Sequence, residues 1–269
     1  MPLAICATPI GNLADVTLRV LEELRSAEVV LSEDTRHTRL LLDRHGIAAK
    51  LLSYHEHNES ARVAELMPRL AQGARIALVS DAGMPGISDP GSLLVRAALA
   101  AGLAVTVLPG PSAVETALVA SGLVSERFLF VGFLPRRPGE LTALWEELAG
   151  WAWPVVAFES PRRVPATLRS LASATPERRV AVCRELTKKF EEVVHGTAGE
   201  LAARFAEAPK GEVTLVLGPG SRERDAAVAE TAREAVADLV AAGTPRKVAA
   251  EVVSRLTGLS RNELYRTSL

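Results

Sequence analysis

The sequence has few cysteines, almost no net charge and no long apolar run. Cys6 and Cys183 each lie within an apolar stretch, so we expect buried strand residues rather than a disulfide framework or a metal-ligand set. A formal net charge of −1 excludes a protein-wide positive field, so any site for a polyanion has to be local. The longest apolar stretches, such as residues 99–108, are too short to span a bilayer. Met1 and Pro2 lead directly into a strand-like run without a basic region or cleavage site, and we therefore expect a cytoplasmic protein with no membrane partner.

Several familiar motifs are also missing from the chain. Without a GxSxG elbow, a hydrolase triad has no anchor. Neither the GxGxxG dinucleotide fingerprint nor the GxxxxGK phosphate loop is present. His55 and His57 could supply half of a metal site, but the spacing suggests no third ligand, so we expect no metal.

An α/β fold with a largely parallel sheet is predicted for the first part of the chain. Short β-branched runs alternate with amphipathic segments of helical length up to about residue 115, which is the pattern of βαβ units. The predicted strands are 3–8, 29–33, 75–81 and 104–108, and the predicted helices are 17–26, 38–45, 60–71 and 93–101. Loops rich in glycine or proline follow three strands, at 9–12, 82–91 and 109–111. Because ligands of open α/β sheets bind beyond the carboxyl ends of the strands, these loops predict a pocket.

A second α/β domain and a small helical unit are predicted to follow. Strands at 127–134, 154–159, 179–186 and 211–217 alternate with helices at 140–148, 165–173 and 199–206. Beyond residue 220 the chain becomes rich in alanine and charge, and a turn at 257–259 precedes a capping box of Ser260 and Glu263. This end resembles a helix-turn-helix, with an ordinary helical hairpin as the alternative. The predicted domains are therefore 1–116, 117–222 and 223–269.

The segment SDAGMPGISDPG, residues 80–91, carries the clearest chemical signal. Its glycines let the main chain approach a ligand closely. Its two aspartates suit a ligand with positive charge, such as a sulfonium or amino group, better than a triphosphate. The segment LPGPSAVETAL, residues 108–118, repeats the strand end and turn, with Ser112 at a helix start. Ser112 is predicted to cap that helix, and the same amides are open to a ligand carboxylate or ribose.

Polar clusters follow three further predicted strands. Residues 32–42 bring Glu33, Asp34 and Arg36 together at a helix start, where acidic residues either complement the helix dipole or act on a substrate. FESPRRVP and RELTKKFEEVVHG, with the arginines of FLPRR, predict a local basic rim of the kind that RNA binding needs. The rim residues are Arg136, Arg137, Arg162, Arg163, Arg184, Lys188 and Lys189.

Together, these motifs resemble the ribosomal RNA small subunit methyltransferase I family of the tetrapyrrole methylase superfamily. The resemblance covers nearly the whole chain and rests on the ordered segments ATPIGNLADVTLR, EDTRHTRLLL, SDAGMPGISDPG, LPGPSAVETALVASGL, FVGFLPR, FESPRR, RELTKKFEE and TGLSRNELY. It implies the two-domain tetrapyrrole-methylase fold, followed by the helix-turn-helix-like unit. It also implies a homodimer that uses S-adenosylmethionine, bound between the domains, to methylate the ribose 2′-oxygen of a decoding-centre cytidine. The expected substrate is 16S ribosomal RNA, within an assembling small ribosomal subunit.

Under this resemblance we expect three groups of site residues. Cofactor contacts are expected from Pro9, Asp81, Gly83, Pro85, Ile87, Ser112, Ala113, Phe158, Glu212 and Thr214. RNA contacts are expected from Arg36, Arg136, Arg162, Arg184 and Lys188. Methyl transfer mainly requires alignment, and a base that takes the hydroxyl proton would help. The candidate bases are Lys188 in its neutral form, Glu185, Glu191 and Asp34, although Lys188 could instead hold a phosphate.

Two other functions stay open at the level of sequence. A regulator that binds nucleic acid could sense a small ligand in the α/β cleft and use the terminal helical unit for recognition. A small-molecule methyltransferase acting on a tetrapyrrole is the nearer alternative, but it leaves the basic residues of the second domain without a clear role. Removing the chain from Thr231 onward would abolish RNA binding by the regulator and leave cofactor binding by the enzyme intact.

Overall fold

Two five-stranded sheets and eleven α-helices make up the part of the chain that the computed structural model describes, residues 2–220, 223–257 and 261–267. The α/β class and the terminal helices agree with the sequence prediction. The predicted capping box at Ser260 and residues 258–259 of the predicted turn lie outside the described residues.

The first sheet is entirely parallel, with strand order β3-β2-β4-β1-β5. Alternate residues of β1 pack into separate cores, with Leu3 and Ile5 on one face and Ala4 and Cys6 on the other, because successive side chains of a strand point to opposite faces. Helices therefore cover both faces. The strands are β1 Leu3–Cys6, β2 Val29–Ser32, β3 Leu51–Ser53, β4 Ile76–Val79 and β5 Val105–Leu108, and the helices are α1 Leu18–Ser26, α2 Thr35–Arg44, α3 Glu59–Ala71 and α4 Ser92–Ala100.

The second sheet is mixed, with strand order β6-β7-β10-β8-β9. Its β6 and β7 run parallel, while the other neighbouring strands are antiparallel. One face packs against α6, α7 and α8 around the buried Trp145, and α5 covers the other face. The strands are β6 Leu129–Phe133, β7 Val155–Glu159, β8 Arg179–Arg184, β9 Glu192–Thr197 and β10 Val213–Leu217, and the helices are α5 Ala113–Ala120, α6 Pro138–Leu148, α7 Val164–Ala174 and α8 Ala198–Arg204.

Helix α5 connects the two sheets. Its residues Ala117 and Leu118 pack against Val156 and Val216 of the second sheet, together with Ile10 from the loop after β1. The predicted domain boundary between residues 116 and 117 falls within this helix. As a consequence, the loop after β1 lies against the face of the second sheet that α5 covers.

Three helices form the C-terminal unit: α9 Glu223–Ala241, α10 Arg246–Thr257 and α11 Arg261–Thr267. They pack around a small apolar cluster that includes Val236, Ala249, Val253 and Leu264. None of the described helices combines the length and the apolar character that crossing a membrane requires.

Candidate active site

A cavity of about 640 Å³ lies between the two sheets. The first sheet contributes the residues that follow β1, β2 and β4 and the segment that leads from β5 into α5. The second sheet contributes side chains from β6, β7, β8 and β10. This volume is typical of a site for a small organic ligand. The cavity lies where the glycine- and proline-rich loops predicted a pocket.

Hydrogen bonds hold the loops of the first sheet against one another. Thr8 and Gly83 exchange two backbone hydrogen bonds, of 2.9 and 3.0 Å, and the Ser80 hydroxyl donates to the Gly83 carbonyl at 3.1 Å. A Cβ added to Gly110 would lie 2.9 Å from the Ala7 Cβ, so glycine permits the close approach of the loops after β1 and β5. These contacts fix the floor of the cavity.

Three carboxylates make one wall of the cavity, the wall formed by the first domain, strongly acidic. Glu33, Asp81 and Asp89 all line the cavity, and Asp81 Oδ1 accepts a hydrogen bond from the Asp34 amide at 3.0 Å. Burial, followed by the charges of Glu33 and Asp81, raises the pKa of Asp89 to about 6. Burial and the charge of Asp81 also raise the pKa of Glu33. A cationic ligand would relieve this mutual repulsion.

A row of side chains across four strands forms the second wall. The strand register places Phe133, Phe158, Thr214 and Cys183 opposite one another on β6, β7, β10 and β8, and all four line the cavity. The Phe158 ring meets the ring of Phe133 edge to face, with centroids 5.4 Å apart. Burial raises the pKa of the Cys183 thiol to about 12, so this sulfur is an apolar part of the wall rather than a nucleophile.

Helix α5 begins at the edge of the cavity, where Ser112, Ala113 and Val114 line it. Ser112 occupies the N-cap position, but its hydroxyl donates to the Glu115 carboxylate instead of accepting from a first-turn amide. The predicted N-cap position of Ser112 is therefore confirmed, but the expected hydrogen bond from a first-turn amide to its hydroxyl is not formed. The first-turn amides, which have no partner within a helix, stay available to an anionic group.

A tight turn after β8 joins the two domains at one end of the cavity. The backbone of Glu185 and Thr187 is left-handed, with φ of +52° and +64°. Lys188 Nζ donates to Glu185 Oε1 at 2.9 Å and to Glu212 Oε2 at 2.8 Å. The backbone amide of Asn12, in the loop after β1, donates to Thr187 Oγ1 at 3.0 Å. Of these residues, Glu212 lines the cavity.

Comparison with known proteins identifies the family. The family described as Tetrapyrrole (Corrin/Porphyrin) Methylases matches residues 2–202. The protein named ribosomal RNA small subunit methyltransferase I from Mesorhizobium japonicum is 44% identical, covering 99% of this chain and 91% of its own. Proteins of the same name from Neisseria meningitidis serogroup A and Synechocystis are 41% and 42% identical, each over 99% of this chain and over 92% and 97% of their own. The chain belongs to the ribosomal RNA small subunit methyltransferase I family of tetrapyrrole methylases.

Solved structures show the same fold at lower sequence identity. The methyltransferase CobJ superimposes with a TM-score of 0.62 at 21% identity, covering 81% of this chain and 93% of its own. Uroporphyrin-III C-methyl transferase from Thermus thermophilus, complexed with S-adenyl homocysteine, gives 0.55 at 20% identity, with coverages of 80% and 96%. At this identity the likeness shows the fold alone, and it confirms the fold that the resemblance implied.

The residues expected to contact a cofactor in this methylase family mostly meet at the cavity. Asp81, Gly83, Ile87, Ser112, Ala113, Phe158, Glu212 and Thr214 line it, whereas Pro9 and Pro85 do not. Pro9 lies between Thr8 and Ile10 in the loop after β1, and Pro85 is buried within its own loop. The cofactor prediction did not include Glu33, Asp89 and Phe133, although the glycine before Phe133 is a signal for a strand irregularity.

The expected proton acceptors lie in different surroundings. Burial lowers the pKa of Lys188, but the hydrogen bonds that it donates to Glu212 and Glu185 outweigh burial and leave the pKa raised, so this amine holds its proton. The Glu212 amide and Lys188 lower the pKa of Glu185. Hydrogen bonds with Arg36 lower the pKa of the partly exposed Asp34. None of Lys188, Glu185 and Asp34 is among the residues that line the cavity.

The remaining base candidate, Glu191, has a local role. Its carboxylate accepts a hydrogen bond from the Thr187 amide, which stabilises the left-handed turn. Among the described side chains, no cluster of three or more His, Cys, Asp or Glu is arranged to hold a metal ion.

The arginines of the basic rim divide into free and engaged side chains. Arg184 pairs with Glu192 at 3.0 Å and donates to the Lys210 carbonyl at 3.1 Å. Arg163 pairs with the buried Glu159 at 3.3 Å and donates to the Leu134 and Pro135 carbonyls. Arg36 pairs with Asp34 at 2.7 Å, and Arg137 pairs with Glu140 at 2.9 Å. Within the described part of the chain, Arg136 and Arg162 are exposed and have no ion-pair partner.

Proposed function

We propose that this chain transfers a methyl group from S-adenosylmethionine to the ribose 2′-oxygen of a decoding-centre cytidine in 16S ribosomal RNA. The observation that carries the proposal is a single cavity with an acidic wall and an aromatic wall, in a chain related along nearly its whole length to proteins named ribosomal RNA small subunit methyltransferase I. Assembly of the ribosome takes place in the cytoplasm, which is the proposed location.

The side chains of the cavity suit this methyl donor. Its sulfonium and amino group carry positive charge, which Asp81, Asp89 and Glu33 are placed to balance. Phe130 and Phe158 offer apolar surface for the adenine ring, and the open amides at the start of α5 suit a carboxylate. When bound, S-adenosylmethionine supplies an electrophilic methyl group for an in-line transfer.

Proton removal from the ribose hydroxyl falls, in this proposal, to a carboxylate that lines the cavity. Lys188 holds its own proton, and the pKa values of Glu185 and Asp34 are lowered, which makes all three weak acceptors. Glu33 and Asp89 have raised pKa values. A base is most effective when its pKa lies near the working pH, so we assign the proton to Glu33 or Asp89.

The RNA side of the proposal rests on a small number of free cations. Arg136 and Arg162 are available to phosphates, whereas Arg36, Arg184 and Lys188 reach RNA only by sharing an existing ion pair. The net charge of −1 gives little non-specific attraction. We therefore propose folded ribosomal RNA in an assembling small subunit as the substrate, and expect poor activity on short oligonucleotides.

A homodimer is part of the same proposal. Val107 on the edge strand β5 and Val119 on α5 are both more than half exposed, and a second copy of the chain would cover such residues. Sedimentation equilibrium measures the mass in solution. A monomeric mass at the concentration at which the enzyme is active contradicts this part.

The central experiment measures transfer of labelled methyl groups from S-adenosylmethionine. Purified protein is incubated with small subunits from a strain that lacks the gene, and the labelled position is mapped by its resistance to alkaline hydrolysis, which a 2′-O-methyl group confers. We expect one labelled cytidine. Undetectable binding of S-adenosylmethionine by calorimetry, or label on a base rather than a ribose, contradicts the proposal.

Methylation of a tetrapyrrole is the second candidate, and the solved structures of the same fold favour it. Incubation with a porphyrin precursor under the same conditions discriminates the two, because label in the tetrapyrrole supports only the second. A truncated chain without residues from Thr231 onward tests the regulator hypothesis. Loss of all RNA binding by the truncated chain favours the regulator. Retained binding of S-adenosylmethionine favours the enzyme.

A further inference from the structure

We propose that the mouth of the cavity contains a nucleobase-stacking subsite, in which the ring of Phe133, flanked by Phe128 and Ile87, holds the unstacked base of the target nucleotide. The inference rests on the proposed function, because it names the contact that positions the RNA at the same cavity. Phe133 is thereby assigned as a positioning residue for the ribose.

The three side chains combine exposure with a place at the cavity. Phe133 is 62% exposed, Ile87 51% and Phe128 41%, and each of them lines the cavity. Ile87 belongs to the first domain and the two phenylalanines to the second. Large apolar side chains that cluster at the opening of a pocket mark a binding surface more often than isolated exposed residues do.

A β-bulge places Phe133 on this surface. Phe130 pairs with Val156 and Phe133 pairs with Phe158, so three steps along β6 match two steps along β7. Gly132 permits the irregularity, with a φ of +68°. In a regular register Gly132 would oppose Phe158, and Phe133 would point to the other face of the sheet. The pairing of β6 with β7 is therefore irregular at the point where β6 brings the Phe133 ring to the opening of the cavity.

The Phe133 ring is fixed on one side and open on the other. Its neighbour Phe158 lies edge to face with it at a centroid distance of 5.4 Å. Directly after β6, Arg163 donates to the carbonyls of Leu134 and Pro135, which holds the end of the strand in place. An aromatic ring that is held rigid loses little conformational entropy when a base stacks on it.

Two exposed arginines that lie close in sequence to residues of the cavity favour a nucleotide of RNA as the occupant. Arg136 follows the clamped residues 134–135, and Arg162 follows Pro161, which lines the cavity. Both guanidinium groups are exposed. Proteins bind unstacked bases of RNA with aromatic rings and hold the adjoining phosphates with cations. A base on Phe133 would leave its ribose at the opening, within reach of the cavity.

The test compares Phe133→Leu with Phe133→Trp. Leucine keeps an apolar side chain but removes the stacking face, and tryptophan restores it. We expect Phe133→Leu to lower kcat/KM for small subunits roughly tenfold or more, with unchanged affinity for S-adenosylmethionine in calorimetry without RNA. Phe133→Trp should stay within about twofold of the wild type. Leu99→Ala, which removes an equally exposed apolar side chain on α4, serves as the control and should leave kcat/KM unchanged.

Several results overturn the subsite. Equal kcat/KM for Phe133→Leu and the wild type removes it, and so does a failure of tryptophan to restore activity. A matching loss of S-adenosylmethionine affinity in Phe133→Leu assigns the ring to the methyl donor instead. Small subunits left unlabelled by the wild-type protein overturn the proposed function and the subsite together, whereas labelling by the wild type and by Phe133→Leu at equal rates overturns the subsite alone.

Discussion

The two walls of the cavity are built from opposite chemistry. The first domain contributes the carboxylates of Glu33, Asp81 and Asp89 on loops that are held by hydrogen bonds. The second domain contributes a row of side chains, including Phe133 and Phe158, whose positions follow from strand register. One wall therefore acts through charge and the other through shape and apolar surface.

This difference indicates a division of labour between the domains. The acidic wall is energetically unfavourable on its own, since burial and mutual repulsion raise the pKa values of Glu33 and Asp89. A cationic ligand would reduce the repulsion between these carboxylates, whereas the aromatic wall would bind any flat apolar ring through packing contacts. Substitutions in the two walls should consequently separate stability, donor affinity and RNA recognition.

The largest expected effect concerns the stability of the second wall. Arg163→Met leaves the buried Glu159 with only its hydrogen bonds from Ser160 and Thr167. We expect the free energy of unfolding to fall by about 2–3 kcal/mol in urea denaturation. Arg162→Met, one residue earlier and exposed, is the matched control and should leave stability within about 0.5 kcal/mol. Equal stability of the two variants would show that the Glu159 pair has no structural role.

The next largest effect concerns the charge of the first wall. Asp81→Asn removes a carboxylate that faces the cavity and accepts the Asp34 amide. We expect S-adenosylmethionine affinity to fall roughly tenfold to a hundredfold in calorimetry, as for a hydrogen bond to a charged group. The exposed Asp15→Asn removes the same charge away from the cavity and should leave affinity unchanged. A lower melting temperature with wild-type affinity would make Asp81 purely structural.

A smaller effect should appear when the pH is varied. Because the pKa of Asp89 is about 6, lowering the pH from about 7.5 to about 5.5 should neutralise most of its charge and weaken binding of the cationic donor about fourfold. Asp89→Asn should bind more weakly at neutral pH and show a flatter dependence, with Glu33 as the remaining titrating neighbour. Superimposable affinity profiles for the two proteins would exclude Asp89 from donor binding.

The same substitution has a consequence for stability, with a defined sign. The folded state raises the pKa of Asp89 above its ordinary value, so the protonated form favours folding. That contribution is complete below about pH 4 and is lost as the pH rises through about 6. Asp89→Asn should therefore stabilise the protein above about pH 6, by less than about 1 kcal/mol because the side chain is partly exposed. Destabilisation at pH 8 would contradict this assignment.

The smallest effect concerns the free cations beside the aromatic wall. Arg136→Ala should reduce the slope of log affinity for RNA against log salt by about one unit, with unchanged donor affinity. Arg137→Ala is the control, because Glu140 already balances its charge. The slopes come from filter binding at several salt concentrations. A slope that changes equally in both variants would make Arg136 an ordinary surface charge.

The fold was predictable wherever burial left a clear pattern. Fully buried strands such as β2 and β4 appear in the sequence as continuous apolar runs, as parallel strands covered on both faces do. Strand β3 is three half-buried residues, and β9 is a partly exposed strand at the edge with Val194 as its buried residue. Neither has a period that sequence analysis could detect, so both were missed.

The candidate site was predictable where polar residues and glycines follow directly after a strand. Asp81, Gly83 and Ser112 were expected near a ligand because glycine and proline mark the loops at the strand ends. The contributions of Phe133 and Cys183 depend on register between strands that are far apart in the sequence. Similarly, the sequence does not distinguish the neighbouring arginines Arg162 and Arg163. Only the structure shows that Arg163 pairs with the buried Glu159, whereas Arg162 is a surface cation.

The two domains approach each other closely at Gly11. A Cβ at this position would lie 2.5 Å from Lys188 Cγ and 2.8 Å from Thr187 Oγ1, so a larger residue would force these side chains or the loop after β1 to shift. The missing side chain thus lets the loop after β1 pack directly against the turn after β8, so the close approach of the two domains at this end of the cavity depends on a glycine.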